Sequence, residues 1–351
     1  MENLPENGGT PELPEKPKST AKALLVHLLK LVIAALLIYW VLKDVQWREV
    51  ASLPRSRLVF AWFTAFILVF LQSTLSAVRW QMLLKAQGIF LSFPSAFSLT
   101  FQGIFFSLCL PGGAVGGDVV KAACIVRTSG DKKVEAVTSI FVDRLTGLIA
   151  LFGLALFLFL LKLPAVAGME KALQATVLTL AVACAAGLCA AFFILFHEIF
   201  LRLSLVRKLV NFADSFLKGA VTRILSAVDI YRKKWKTLLA TCVMGIVIIH
   251  PLLFLALYCI AVILTGKAQD LLTVFFSAGM GNVASCIPGT VGGLGARDKV
   301  MQLLLETGGL SASDAAMIPI LYTLGYVSCS LTGSICFVMN SFSKRKKGKK
   351  S

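Results

Sequence analysis

The stretches 107–118, SLCLPGGAVGGD, and 284–295, ASCIPGTVGGLG, decide the fold of this chain. In each, a cysteine stands two residues before a proline, and the Pro-Gly pair is followed by Val-Gly-Gly. Each stretch comes after a short apolar segment and before a segment that carries charged residues. One glycine-rich loop would indicate little, but two copies in the same setting predict an internal repeat.

The prolines and glycines of these stretches predict two breaks in otherwise helical segments. Proline lacks a backbone donor and stops a helix, whereas glycine tolerates positive φ and lets a ligand approach the backbone. Irregular backbone at membrane depth persists only inside protein or beside a wet cavity, and the amides that start the next helix suit a phosphate. The alternative is that the glycines only let helices pack closely, but the repeated proline favours true breaks. The predicted break residues are Pro111, Gly112, Gly113, Gly116, Gly117, Pro288, Gly289, Gly292, Gly293 and Gly295.

The composition is that of a membrane protein. Apolar residues make up 57% of the 351 positions and charged residues 15%, whereas a soluble domain has about half and about a quarter. Two short apolar runs, Phe93–Leu110 and Leu271–Ile287, end at the breaks. The sequence predicts an all-α integral membrane protein with about six full transmembrane helices plus two re-entrant helical hairpins. The predicted full spans contain the runs Ala23–Leu42, Leu58–Val78, Gly147–Leu161, Ala172–Phe196, Leu238–Leu264 and Ala315–Met339.

The basic residues are concentrated beside the apolar runs. The chain has a formal net charge of +17, and residues 198–236 hold nine Lys and Arg against three acidic residues. Residues 344–350 add six basic residues and no acid. Basic loops beside membrane spans mark the cytoplasmic side and attract anionic lipids. The charge therefore predicts topology and an anionic lipid partner, and it argues against a nucleic-acid partner.

The same loops decide between two topologies. If both short runs crossed the bilayer once, the basic 198–236 segment would lie outside; if each returns to its own side, that segment and both termini are cytoplasmic. Three full spans between the breaks then orient the two copies oppositely, as in the inverted repeats of transporters. Residues 43–57 would lie outside with four basic and two acidic residues, which fits less well. We expect a multi-pass protein of a bacterial-type inner membrane.

This topology divides the chain into tails and one membrane domain. Residues 1–20 contain several prolines and acidic residues, and they predict a disordered tail rather than a signal peptide. The other predicted parts are a transmembrane domain at 21–341, repeat signatures at 94–161 and 271–340, a basic cytoplasmic linker at 198–236 and a basic cytoplasmic tail at 342–351.

Charged residues beside the breaks predict a polar site. Charges inside apolar segments are costly and usually face a cavity or a partner, and the planar fork of arginine suits a phosphate. We expect Arg144 and Arg297 to contact a head group, each oriented by the neighbouring aspartate. A structural ion pair at the membrane boundary is the alternative, and Arg79 is expected to extend to the interface. The predicted head-group residues are Asp118, Lys121, Asp143, Arg144, Arg297 and Asp298.

Three segments carry a family resemblance. LPGGAVGGDVVK at 110–121, VDR at 142–144 and IPGTVGGLGARD at 287–298 resemble the signatures of the lysylphosphatidylglycerol synthase transmembrane, or flippase-like, family. Asp143 and Asp298 stand where many members have glutamate. The resemblance covers nearly the whole chain and implies translocation of a lipid with a large polar head group across the inner membrane. Because the chain ends after its last span, we expect no soluble synthase domain and no lysylphosphatidylglycerol synthesis.

Three functions are compatible with this pattern. The leading one is a flippase-like transporter of a phospholipid, glycolipid or polyprenyl-phosphate lipid. A lipid-modifying transferase would need a general base or metal carboxylates, for which Asp118 and Asp143 are candidates; a membrane scaffold for a lipid-pathway enzyme is the third. We expect no catalytic residue and no cofactor. We also expect no metal site, since none of the nine cysteines forms a Cys-x-x-Cys pair and the chain has only three histidines. The expected partners are membrane lipids, and possible protein partners are a second copy of the chain or a lipid-synthesis enzyme.

Overall fold

The computed structural model describes residues 55–110, 113–200, 202, 204–216, 219–287 and 295–348. All regular structure within these ranges is helical. Long apolar segments favour this result, because a segment in lipid must satisfy its backbone polar groups internally. The helices are α1 (Arg55–Ala86), α2 (Phe93–Cys109), α3 (Ala114–Val126), α4 (Lys133–Leu161), α5 (Leu163–Ala167), α6 (Lys171–Leu195), α7 (His197–Phe200), α8 (Ser204–Phe216), α9 (Ala220–Lys233), α10 (Trp235–Met244), α11 (His250–Thr265), α12 (Leu271–Ala284), α13 (Ala296–Thr307) and α14 (Ala312–Gly348).

Five helical segments are long and apolar enough to span a membrane. They are α1, α4, α6, the continuous segment from α10 to α11, and α14 as far as Met339. These match five of the six predicted spans, and α2 and α12 match the two shorter runs. The chain is therefore an all-α, multi-pass membrane protein. The predicted span Ala23–Leu42 and the predicted tail at 1–20 lie outside the described residues.

Two pairs of short helices form hairpins. Gly117 in α3 lies so close to α2 that a Cβ on it would stand 2.1 Å from the Gly103 carbonyl oxygen. In the second pair, a Cβ on Gly308, just after α13, would stand 2.4 Å from Cγ2 of Thr273 at the start of α12. The start of α12 therefore lies beside the end of α13, so this hairpin returns to the end of the bundle where it began.

The structure describes four of the predicted break residues. Gly113 and Gly295 stand immediately before α3 and α13, with φ values of 58° and 84° that favour glycine. Gly116 and Gly117 are buried in the first turn of α3. The break residues outside the described ranges are Pro111, Gly112, Pro288, Gly289, Gly292 and Gly293.

The loops divide between the two ends of the bundle. At one end, the Lys132 ammonium group donates to the Gly88 carbonyl oxygen at 3.1 Å, and that of Lys234 donates to the Ala86 carbonyl oxygen at 2.7 Å. We call this the basic end, because the loops predicted to be cytoplasmic meet here. The segment 198–236, predicted as a linker, contains the helices α8 and α9, and α9 packs against the last turns of α1.

The opposite end holds the start of α1 and the loop before α12. There the Lys162 ammonium group lies 2.7 Å from an Asp270 carboxylate oxygen, and the Arg57 guanidinium donates to the Leu264 carbonyl oxygen at 3.4 Å. Helix α2 starts near the basic end, where Gln81 in α1 donates to the backbone just before it, whereas α12 starts at Asp270. The two hairpins therefore extend into the bundle from opposite ends.

Candidate functional site

A cavity of about 280 Å³ lies between the two hairpins. Side chains from α1, α2, α3, α4, α11, α12, α13 and α14 line it. Its size is near the lower limit for sites that bind small ligands. Of the predicted site residues, the structure places Asp118, Lys121, Asp143, Arg144 and Arg297 on its wall.

Asp143 lies near the middle of the bundle. It follows the start of α4, at the basic end, by ten residues, which is about 15 Å along a helix that rises 1.5 Å per residue. Asp143 and the charged residues around it therefore lie inside the bundle, away from its basic end.

Two cations share the Asp143 carboxylate. Arg79 Nε donates to Asp143 Oδ1 at 2.9 Å, and Lys121 Nζ lies 3.9 Å from Asp143 Oδ2. All three residues are buried, and the Lys121 ammonium group also lies 3.7 Å from the centroid of the Trp80 ring. The prediction that Arg79 extends to the interface is wrong, because a buried carboxylate within reach provides the partner that water would otherwise supply.

Arg144 pairs with a different carboxylate. Its Nε and Nη2 donate to the two oxygens of Asp118 at 2.7 Å and 2.9 Å, in bidentate geometry. The prediction that Asp143 orients Arg144 is therefore wrong. Adjacent residues on a helix point about 100° apart, so Asp143 faces α1 while Arg144 faces α3. The Arg144 side chain is 50% exposed, in contrast to buried Arg79.

Arg297 forms the expected pair with Asp298. Arg297 Nε donates to Asp298 Oδ1 at 3.0 Å, and the Thr323 hydroxyl group donates to the same oxygen at 2.9 Å. The other Asp298 oxygen accepts the Gly295 backbone N–H at 3.3 Å and caps the first turn of α13. The Arg297 guanidinium stacks 4.8 Å from the centroid of the Tyr322 ring. Asp298 thus stands behind Arg297 and not on the cavity wall.

The charges of this site do not cancel. The described residues supply four cations, Arg79, Lys121, Arg144 and Arg297, against the three carboxylates of Asp118, Asp143 and Asp298. One positive charge is in excess, and it arises where Arg79 and Lys121 meet the single carboxylate of Asp143. Burying an uncompensated charge is costly, so this arrangement favours occupation by an anion.

Some cavity residues were not predicted from the sequence. One face of α1 carries polar side chains at spacings of four and three, namely Gln72, Ser76 and Arg79. This spacing is the sequence pattern from which these cavity residues could have been predicted. His250 also lines the cavity. It follows a π-helical turn at Gly245–Ile249, which hydrophobic periodicity does not predict although such turns are frequent at functional sites. Among the described residues, no group of three or more His, Cys, Asp and Glu side chains could hold a metal ion.

Comparison with known proteins gives one match. Residues 27–331 match the family described as the lysylphosphatidylglycerol synthase TM region. No curated protein and no solved structure matches the chain. The matched range includes both hairpins and all cavity residues named above, and it is nearly the whole chain. This protein therefore belongs to the lysylphosphatidylglycerol synthase TM region family, a membrane-domain family of lipid-related proteins.

Proposed function

We propose that this protein moves a lipid with a phosphate-bearing head group between the leaflets of the membrane. The observation that carries this proposal is the excess positive charge of the buried cavity, where Arg79 and Lys121 share the Asp143 carboxylate. Phosphate is the anion that membrane lipids carry, and arginine binds it with two parallel hydrogen bonds. The lipid is a phospholipid, a phosphate-bearing glycolipid or a polyprenyl phosphate.

The cavity is open on one side at the level of Arg144. Leu148, one turn further along α4, and Cys286, just after α12, are both exposed. We propose that this opening faces the lipid. A head group would therefore enter sideways through this opening, while its acyl chains remain in the bilayer.

The Arg144–Asp118 pair lies at this opening, and we propose that a lipid phosphate exchanges with Asp118 there. A phosphate offers the same two-oxygen geometry as the Asp118 carboxylate, so it can replace Asp118 as the partner of Arg144. Release of the phosphate restores the original pair. Arg144 thus has a bidentate partner before and after the exchange, while the displaced Asp118 carboxylate gives up its pair with Arg144 for as long as the phosphate is bound.

The hairpins support a transport mechanism. We propose that both are re-entrant, that they are the two copies of an inverted repeat, and that their movement exposes the cavity to one side at a time. Their approach from opposite ends of the bundle supports this proposal, since inverted repeats that meet near the midplane underlie alternating access in many transporters.

The basic end supports an orientation. We propose that it faces the cytoplasm, that both termini lie there, and that the membrane is the bacterial-type inner membrane. The loops that hold Lys132 and Lys234 lie at this end, and positive loops remain on the cytoplasmic side.

A reconstitution experiment tests the proposed function. Purified protein is placed in liposomes that contain a head-group-labelled fluorescent phospholipid, and loss of fluorescence to an impermeant quencher reports movement between leaflets. We expect wild-type protein to accelerate this movement over protein-free liposomes and the R144A/R297A variant to do so at least about tenfold less, because each arginine contributes a charge-assisted contact. R55A, in which the changed arginine is exposed and distant from the cavity, is the matched control and should equal wild type.

Two results would contradict the proposal. The first is an unchanged rate in R144A/R297A. The second is a new lipid species detected by mass spectrometry after incubation, which would indicate a transferase instead of a transporter.

A further inference from the structure

Helix α8 carries an exposed pair of aromatic residues. Phe212 and Phe216 are one helical turn apart, so they share a face of the helix, and they are 74% and 80% exposed. Of the large apolar residues that the structure describes, only Phe90 is more exposed. Two neighbouring rings in this setting mark a surface that another apolar surface covers.

Basic residues lie on the other side of the same helix. The α8 sequence, SLVRKLVNFADSF, separates apolar from polar residues around the helix axis. Arg207 and Lys208 belong to the polar side and are exposed. A helix with aromatic residues on one face and basic residues on the other is suited to the plane of a membrane interface, where its cations meet anionic head groups.

Both ends of α8 are held at the basic end of the bundle. Four residues before α8 begins, the Phe200 ring lies 5.0 Å from that of Phe193, near the end of the span α6. Near the other end of α8, the two Asp214 carboxylate oxygens accept the Thr222 backbone N–H at 2.9 Å and the Thr222 hydroxyl group at 2.6 Å. Thr222 is in α9, which packs against the last turns of α1. Helix α8 is therefore held beside the ends of two spans, where acyl chains meet head groups.

Two further exposed aromatic residues lie at the same end. Phe90, in the loop between α1 and α2, is 82% exposed, and Trp235, at the start of α10, is 57% exposed. The loops that hold them also hold the contacts of Lys132 and Lys234 that define the basic end. Aromatic rings together with basic residues are typical of the boundary between a membrane and the cytoplasm.

We propose that α8 is an interfacial helix that binds the anionic lipid surface on the basic side of the membrane. Phe212 and Phe216 insert among the acyl chains, while Arg207 and Lys208 bind lipid phosphates. Charge favours this partner over a second copy of the chain, because the basic ends of two copies repel each other. The inference rests on the membrane location of the chain and is independent of transport through the cavity.

Hydrogen–deuterium exchange of the full-length protein in nanodiscs tests this proposal. Each nanodisc holds one copy of the protein, either in phosphatidylcholine alone or in an equal mixture with phosphatidylglycerol, and the measured quantity is the exchange rate of peptides from residues 204–216. We expect this rate to be at least about tenfold lower in the anionic nanodiscs, because each basic residue near an anionic surface strengthens the attachment. Peptides from 220–233 should exchange equally in both, since α9 packs on the bundle.

Variants assign the effect to the named residues. R207Q/K208Q should remove the difference between the two nanodiscs, and F212S/F216S should raise the rate in the anionic nanodiscs to that in phosphatidylcholine. R55Q/K171Q is the matched control, because it removes two exposed basic residues that begin α1 and α6 at the opposite end, and it should keep the wild-type rates. If either α8 variant does not fold, the wild-type comparison decides the proposal without it.

Equal exchange of α8 in the two nanodiscs would overturn the proposal. Equally low rates would show that protein or neutral lipid covers the aromatic pair, and equally high rates would show that the helix does not touch the membrane. Protection in detergent that increases with protein concentration would assign the pair to a second copy of the chain instead. None of these results affects lipid transport, which the liposome experiment tests separately.

Discussion

At the residue scale, the Asp143 carboxylate holds the buried charges together. Among the residues that the structure describes, it is the carboxylate that lies within 4 Å of both Arg79 and Lys121. The D143N substitution keeps the shape of the side chain and leaves two buried cations without a counter-charge. Removal of one partner from a buried ion pair costs about 3–5 kcal/mol, so we expect D143N to lower the free energy of unfolding by about 3 kcal/mol.

The thermal-unfolding midpoint in detergent measures this effect. D131N is the matched control, because it makes the same chemical change at an exposed position, and it should behave as wild type. A D143N variant as stable as D131N would show that the Asp143 carboxylate does not compensate the two cations.

The sequence predicts residue identity at the site better than residue pairing. The cost of charge in apolar segments identifies Lys121, Asp143 and Arg144 without any structure. It does not identify partners, because Asp143 and Arg144 are adjacent in the chain but face different helices. The partner of each comes from an earlier helix, namely Arg79 in α1 and Asp118 in α3. Only the packing of the helices determines these distances.

At the element scale, the sequence predicts which segments are helical, but it does not predict where each helix begins and ends. The breaks and the apolar runs predict α2, α12 and the five described spans. Helix α4, however, begins at Lys133, whereas the predicted apolar run begins at Gly147. Asp143 and Arg144 interrupt the apolar run, but the helix continues through them because partners on α1 and α3 satisfy their charges.

The hairpins give a prediction about membrane sidedness. Asp131 follows α3 at the basic end, and Thr307 ends α13 at the opposite end; both are exposed. In intact cells, an impermeant thiol reagent should label T307C and not D131C, above the background of the nine native cysteines. In inverted membrane vesicles the pattern should reverse.

Labelling of both positions from the same side would contradict the re-entrant arrangement. Each hairpin would then no longer return to its own side of the bilayer. Exposed Lys132 and Lys133 lie beside Asp131, so K133C is a second reporter for the basic end if D131C is poorly expressed.

At the scale of the whole molecule, charge is arranged on two levels. The net charge of +17 is concentrated in loops and in the C-terminal segment, and we propose that it orients the protein in the bilayer. A single excess positive charge lies inside the bundle, where it favours an anionic ligand. The charge of the loops can be read from the sequence. The buried excess charge depends on which carboxylates lie near which cations, so only the three-dimensional structure reveals it.

In the proposed mechanism, this one excess charge recruits the phosphate of a lipid. The K121M substitution tests it most directly, because it preserves the length of the side chain and leaves Arg79 and Asp143 as a neutral pair. The measurement is the initial rate at which fluorescent phosphatidylglycerol crosses the bilayer of liposomes that contain equal amounts of wild-type or K121M protein. We expect K121M to be slower by at least about tenfold, since a charge-assisted contact contributes about 1.5–3 kcal/mol. Equal rates for wild type and K121M would contradict the account.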